Sequence, residues 1–153
     1  MIHSASPRQR SRERGEFSWV TMLLLTSLVV GAYLAVVWGP VYVVRYEAGM
    51  VVTEFANKAV HIRDDASLVQ GLCAKLAALD QVKFPEPDGS ISVVPAVDVR
   101  PEDVTWERDA AATPPTIHVA FTYTTSVYYP FIDRFTEKTF SIDRAQDIKP
   151  AKW

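Results

Sequence analysis

Cysteine is almost missing from this chain. Cys73 is the single copy in 153 residues, which excludes an intrachain disulfide and a thiolate-rich metal site. Histidine is nearly as scarce: His3, His61 and His118 are the three copies, and none is paired with another at metal-ligand spacing. Six glycines form no phosphate-cradling loop, and no Gly-x-Ser-x-Gly nucleophile elbow is present. No constellation for catalysis, for a cofactor or for a metal emerges, so the expectation is a chain without enzymatic activity. Positive charge is also in short supply where a nucleic acid would need it. Residues 1–16 carry Arg8, Arg10, Arg12 and Arg14 against Glu13 and Glu16, a balance of +2. Residues 45–153 carry 12 Lys/Arg against 16 Asp/Glu, a balance of -4. A mildly acidic domain offers no basic face to phosphates, and nucleic acid is not expected as a partner.

Charge of either sign is missing from Phe17 to Val44. An uncharged apolar run of that length reads as a transmembrane helix, and the lipid bilayer becomes the first expected partner. Trp19 and Trp38 stand 19 positions apart. At about 1.5 Å per residue they span about 28 Å, close to a hydrocarbon core of roughly 30 Å. Their rings mark the two interfaces, with Phe17 and Tyr42 reinforcing the belts. The four arginines before the run place the N-terminus in the cytoplasm by the positive-inside bias, and residues 45–153 on the other side. A cleaved secretory signal is the competing reading. The run is too long for a signal's apolar region, and no good small-x-small site follows it closely.

Inside the run Ser27, Gly31, Ala35 and Gly39 recur every four residues, a stripe of small side chains that lets a second helix approach closely. The expected partner is a transmembrane helix of a second copy or of another membrane protein. Pro40 lacks the amide that would bond back to Val36, so a bend is expected there. Beyond it Val44, Ala48, Val51, Val52, Phe55, Ala59 and Val60 keep a helical repeat over about 45–61. One long helix leaving the bilayer and laying its outer half on the domain satisfies this pattern.

The rest predicts an α+β domain. Asp64 and Asp65 are good N-cap residues, and Leu68, Leu72, Leu76 and Leu79 recur behind them, predicting a helix over about 65–80. Cys73 falls in its apolar row and reads as a buried thiol. The segment Phe84-Pro85-Glu86-Pro87-Asp88-Gly89-Ser90 reads as a turn-rich connector. Strands are expected over about 91–143: Val93–Val99, Val104–Glu107, the long stretch Thr116–Tyr129, and a return from Phe131 to Ile142. In the long stretch Ile117, Val119, Phe121, Tyr123 and Val127 share one face. Thr116, His118, Thr122 and Thr124 share the other. Helices first and an antiparallel meander afterwards make an α+β fold with a small antiparallel sheet.

Aromatic residues gather late in the chain: Phe121, Tyr123, Tyr128, Tyr129, Phe131, Phe135 and Phe140. Tyr128 and Tyr129 are strand neighbours and point to opposite faces, so at least one is a candidate for a protein or membrane contact. The carboxylate pairs Asp64–Asp65 and Glu102–Asp103 are explained by capping and turn chemistry. The strand face bearing His118 is the one place where a tethered ligand-binding domain would have its site.

A long N-terminal helix, apolar first and domain-packed afterwards, followed by a small antiparallel sheet, resembles the pilin and pseudopilin plan. The opening Arg14-Gly15-Glu16-Phe17-Ser18, the membrane run, the Gly39-Pro40-Val41-Tyr42-Val43 that ends it, and the later Val127-Tyr128-Tyr129-Pro130-Phe131 resemble a bacterial family of single-pass, pilin-like proteins of unknown function. The resemblance implies a bacterial inner-membrane anchor with a periplasmic domain, acting as a structural or accessory subunit of an envelope assembly. A pseudopilin of a secretion or pilus machine is the alternative. Cleavage after Gly15 would leave Glu16 first and Val20 fifth, where major pilins carry a glutamate, and the chain departs from the pilin pattern there.

Overall fold

This computed structural model describes residues 18–147. The arginine tail, His3, Phe17 and the Gly15–Glu16 bond lie outside the described residues. The chain divides after Tyr33 into two units, but one helix carries it through both. Helix α1 (Trp19–Lys58) runs for 40 residues without interruption at Pro40. The two expected segments, 17–44 and 45–61, thus join in a single helix, which ends at Lys58 rather than near 61. Pro40 removes one amide donor, and the residues on both sides of it are helical.

In the first unit α1 is exposed except at the half-buried Tyr33: none of its most apolar window is buried, and it is long and apolar enough to cross a membrane. Two hydroxyls of this stretch bond locally. Ser18 Oγ accepts from the Val20 amide at 3.3 Å, and Thr26 Oγ1 donates to the Met22 carbonyl at 2.9 Å. Such back-bonding is what a polar side chain needs where no water is available.

In the second unit α1 forms the central column of the core. Val44, Ala48, Val51, Val52, Phe55, Ala56 and Ala59 are buried, at the three-and-four spacing that keeps one helical face inward. Helix α2 (Asp65–Ala77) packs its buried Leu68, Leu72 and Leu76 into the same cluster. Asp64 caps it by accepting from the Ser67 amide at 3.3 Å, and Asp65 supplies first-turn negative charge. The helix stops three residues short of the expected Asp80. Ala78 bonds back in a tighter turn, and Asp80 instead accepts the Ala96 amide at 2.8 Å.

The expected connector is in part a strand. β1 (Gln81–Pro85) pairs antiparallel with β2 (Ile91–Pro95) in a two-stranded sheet. Pro85 is tolerated at the end of this ribbon because its missing amide breaks no inner ladder. The turn is tied by Asp88, whose Oδ1 accepts from the Ser90 amide at 2.9 Å and the Ser90 hydroxyl at 2.6 Å. Gly89 takes φ 85°, a conformation open to glycine without a Cβ penalty. The strand expected over Val93–Val99 ends at Pro95, but Ala96, Val97 and Val99 are buried all the same, in irregular chain.

A short 3₁₀ turn (Pro101–Asp103) leads to β3 (Thr105–Asp109), β4 (Thr116–Tyr129) and β5 (Arg134–Asp147), which form the second sheet in the order β3-β4-β5, all antiparallel. The expected alternation in β4 is present, with Ile117, Val119, Phe121, Tyr123 and Val127 all buried. Thr125 and Ser126 are buried as well, so the strand is covered on both faces in its second half. The return strand starts at Arg134 rather than Phe131, because residues 130–133 form the turn.

The contact between the helices is close at Gly71, where a Cβ would lie 2.9 Å from Phe55 Cε1. Phe55 is only 7 % exposed and has no free space to yield into. Gly71→Ala is therefore expected to lower stability by about 1–3 kcal/mol, measurable by denaturant unfolding of the detergent-solubilised chain.

Candidate functional site

Two kinds of surface compete as the functional site: the small and aromatic residues of α1, and the polar clusters of the outer domain. Of the small-residue stripe, Ser27, Gly31 and Ala35 are exposed and Gly39 is half-buried. A Cβ at Gly31 or Gly39 would meet nothing within 4 Å. These glycines answer to no packing demand inside their own chain. Trp19, at the start of α1, is 86 % exposed.

The second interface marker, Trp38, sits in an aromatic assembly. Its ring lies 6.2 Å from Tyr42 and, edge to face, 6.4 Å from Tyr129 of β4. Tyr42 meets Phe140 of β5 edge-on at 6.0 Å, and Phe140 lies 5.7 Å from Tyr123. Arg45 stacks over Phe140 at 5.2 Å. Pairs in these geometries add about 0.5–1.5 kcal/mol beyond the area they bury. The chain of rings ties β4 and β5 to α1 at the level of Trp38. Tyr128 points away from it, stacks on Phe135 at 4.8 Å and donates its hydroxyl to Asp133 at 2.9 Å. Trp38, Tyr42 and Tyr129 are thus brought together, and Tyr128 is not among them. The sequence marks Phe140 among the late aromatics but not its meeting with Tyr42, and it does not mark Arg45, because these partnerships depend on how the strands lie against α1.

No protein-family model, curated protein or solved structure matches the chain. The polar clusters must therefore be judged on their own chemistry.

His118 lies on the outer face of β4, directly opposite Glu107 of β3. Its Nε2 is 2.8 Å from Asp143 Oδ1, and its Nδ1 is 3.9 Å from Glu107 Oε2. Both carboxylates are largely exposed. Such a cross-strand surface pair contributes a fraction of a kcal/mol, roughly 0.2–1. Among the described residues no group of three or more His, Cys, Asp or Glu is placed to hold a metal ion. Cys73 is buried, and burial followed by the charge of Asp103 raises its thiol pKa. That disfavours the thiolate needed of a nucleophile. The Tyr123 hydroxyl is buried without a hydrogen-bond partner among the described residues, and burial raises its pKa.

Arg108 is the most connected polar side chain. Its guanidinium donates to the Ala59 carbonyl at 2.8 Å, to the Ile62 carbonyl at 3.1 Å and to the Asp65 carboxylate. It satisfies carbonyls left open where α1 ends and meets the acid at the start of α2, a position that suits a planar cation at a helix C-terminus. The groove beside it, lined by Val60, Arg63, Ala110 and Pro115, is open and shallow. Arg108 shares the inward parity of β3 with Trp106, and a basic residue two positions from a buried-face tryptophan is the signal that would have found it.

Glu54 of α1 accepts from Lys58 at 2.8 Å and from Lys75 of α2 at 2.5 Å. These hydrogen bonds, first from Lys58 and then from Lys75, lower its pKa from 4.5 to about 2. A carboxylate depressed in the folded state stabilises fully above its unfolded value, and that contribution is lost as pH falls through the folded one. The melting temperature should therefore drop between pH 4.5 and about 2. Glu54→Gln should flatten that part of the profile, and added salt should weaken the effect because the group is exposed.

Proposed function

We propose that this chain is a non-enzymatic, single-pass structural or accessory subunit of a bacterial envelope assembly. Its N-terminus faces the cytoplasm, its domain faces the periplasm, and its anchor binds another transmembrane helix. The carrying observation is the division of labour along α1. Its outer half supplies the centre of the core, while no residue of its most apolar window is buried within the chain. An anchor that served only as a tether needs lipid-facing bulk. Open space over Gly31, with the exposed Ser27 and Ala35 on the same spacing, instead favours close helix approach. The scarcity of chemistry in the domain is consistent with an assembly role.

Gly31→Leu combined with Ala35→Leu keeps the segment apolar and helical but removes the small surface. The variant should insert in the membrane at wild-type level and lose its co-purifying membrane partners in mild detergent. Retention of the same partners would overturn the helix-packing role.

The passage of α1 from an apolar segment into the centre of a small α+β domain favours a second reading, a pseudopilin-like component of a secretion or pilus machine. That reading requires cleavage after Gly15. Intact-mass measurement of the chain purified from its membrane is expected to retain Met1 or the residue after it, and a mature chain beginning at Glu16 would favour the pseudopilin.

A further inference from the structure

The β4–β5 turn is built of Pro130, Phe131, Ile132 and Asp133. Its two large apolar residues face outward: Phe131 is 84 % exposed and Ile132 62 %. The turn is held in shape. The Ile132 amide donates to the Tyr129 carbonyl at 3.3 Å. Asp133 occupies a left-handed conformation, φ 47°, and accepts the Tyr128 hydroxyl. A surface loop is ordinarily polar, and a fixed turn that presents an aromatic and a branched aliphatic side chain side by side calls for an apolar or interfacial surrounding.

The position of the turn identifies that surrounding. β4 begins beside the outer end of α1, since Ile117 pairs with Arg108, which bonds Ala59. It ends at Tyr129 against Trp38. From Ala59 back to Trp38 the helix covers about 32 Å at about 1.5 Å per residue. From Ile117 to Tyr129 the strand covers about 40 Å at about 3.3 Å per residue. The strand therefore spends its whole length reaching the level of Trp38, and the turn follows directly on the residue that meets it. Trp38, Tyr42 and Tyr129 form an aromatic group at that level, the composition of a bilayer interface.

We infer that the Pro130–Ile132 turn is a second membrane contact, inserting Phe131 and Ile132 into the headgroup region of the leaflet from which α1 emerges. The inference rests on the reading of α1 as a membrane span. Insertion stops at the interface, because the turn carries backbone groups that hydrocarbon cannot satisfy. Arg134 follows immediately and Arg45 lies over Phe140; both sit where a lipid phosphate would be met by a cation. The contact adds a second attachment point beside the helix, and so orients the sheet with respect to the membrane plane.

The test uses the full chain in vesicles of phosphatidylcholine and phosphatidylglycerol, with a bimane probe on Ile132→Cys, Leu28→Cys or Glu102→Cys in turn. Native Cys73 is kept, and its labelling in the wild-type chain sets the baseline. Nitroxide lipids labelled near the headgroup and deeper in the acyl chain report contact. The expected result is strong shallow quenching at 132, deeper quenching at 28, and none at 102, which lies on the 3₁₀ turn beside the start of α2. Quenching at 28 without quenching at 132 would overturn the second contact and leave the membrane span standing. Loss of quenching at 28 would remove both. A blue-shifted, unquenched probe at 132 would mean that a protein surface covers the turn, and would equally overturn the lipid contact.

Discussion

The packing of the outer half of α1 into the domain is the constraint on which everything else depends. Val44, Ala48, Val51, Val52 and Phe55 are all buried on one continuous helix. α2 is amphipathic toward that column, and the inner faces of both sheets close over the same cluster. A domain of this size has little core to spare. Here the element that provides much of that core is also the element that is long and apolar enough to cross a membrane. The candidate span and the scaffold are therefore not separable parts.

This arrangement explains where polar residues are found. Charges that touch the core column do so from its rim. Glu54 joins Lys58 and Lys75 at the surface, and Lys58 also lies over the Phe55 ring at 4.4 Å. Gln146 of β5 reaches Asn57 at 2.6 Å. His118 and its carboxylates decorate the far face of the sheet. These contacts fix register between elements, and none converges on an enclosed space where a substrate would be desolvated. A small, partly open cavity lined by Val41, Val44, Tyr123 and Thr125 among others measures about 30 Å³, room for about one water molecule.

Much of this was legible in the chain because the signals were periodic. The uncharged run, the leucine row of α2 and the alternation from Ile117 to Tyr123 each repeat long enough to reveal an element. β1 was missed because only Gln81 to Phe84 precede the prolines, too short a run for alternation to register, and because Pro85 and Pro87 read as breakers. In fact Pro85 ends the strand without disturbing it. A strand is expected over Val93–Val99, but it ends at Pro95, and Val97 and Val99 are buried in irregular chain instead. At the candidate site the sequence marked Trp38, Tyr42 and Tyr129 one by one. Their meeting depends on how far β4 extends along α1, which no local pattern encodes. Arg108 was passed over for the same reason.

Arg108 has a consequence for how the molecule comes to be. The carbonyls it holds, at Ala59 and Ile62, and the acid at Asp65 lie 49, 46 and 43 positions earlier in the chain. When α1 and α2 first emerge during synthesis, the bend between them has open acceptors and no donor to close it. Contacts at such separation form late, because a long loop must be closed before they bring any return. One side chain of β3 thus closes the corner between the two helices, and the helix pair has all of its bonds only when that strand is in place.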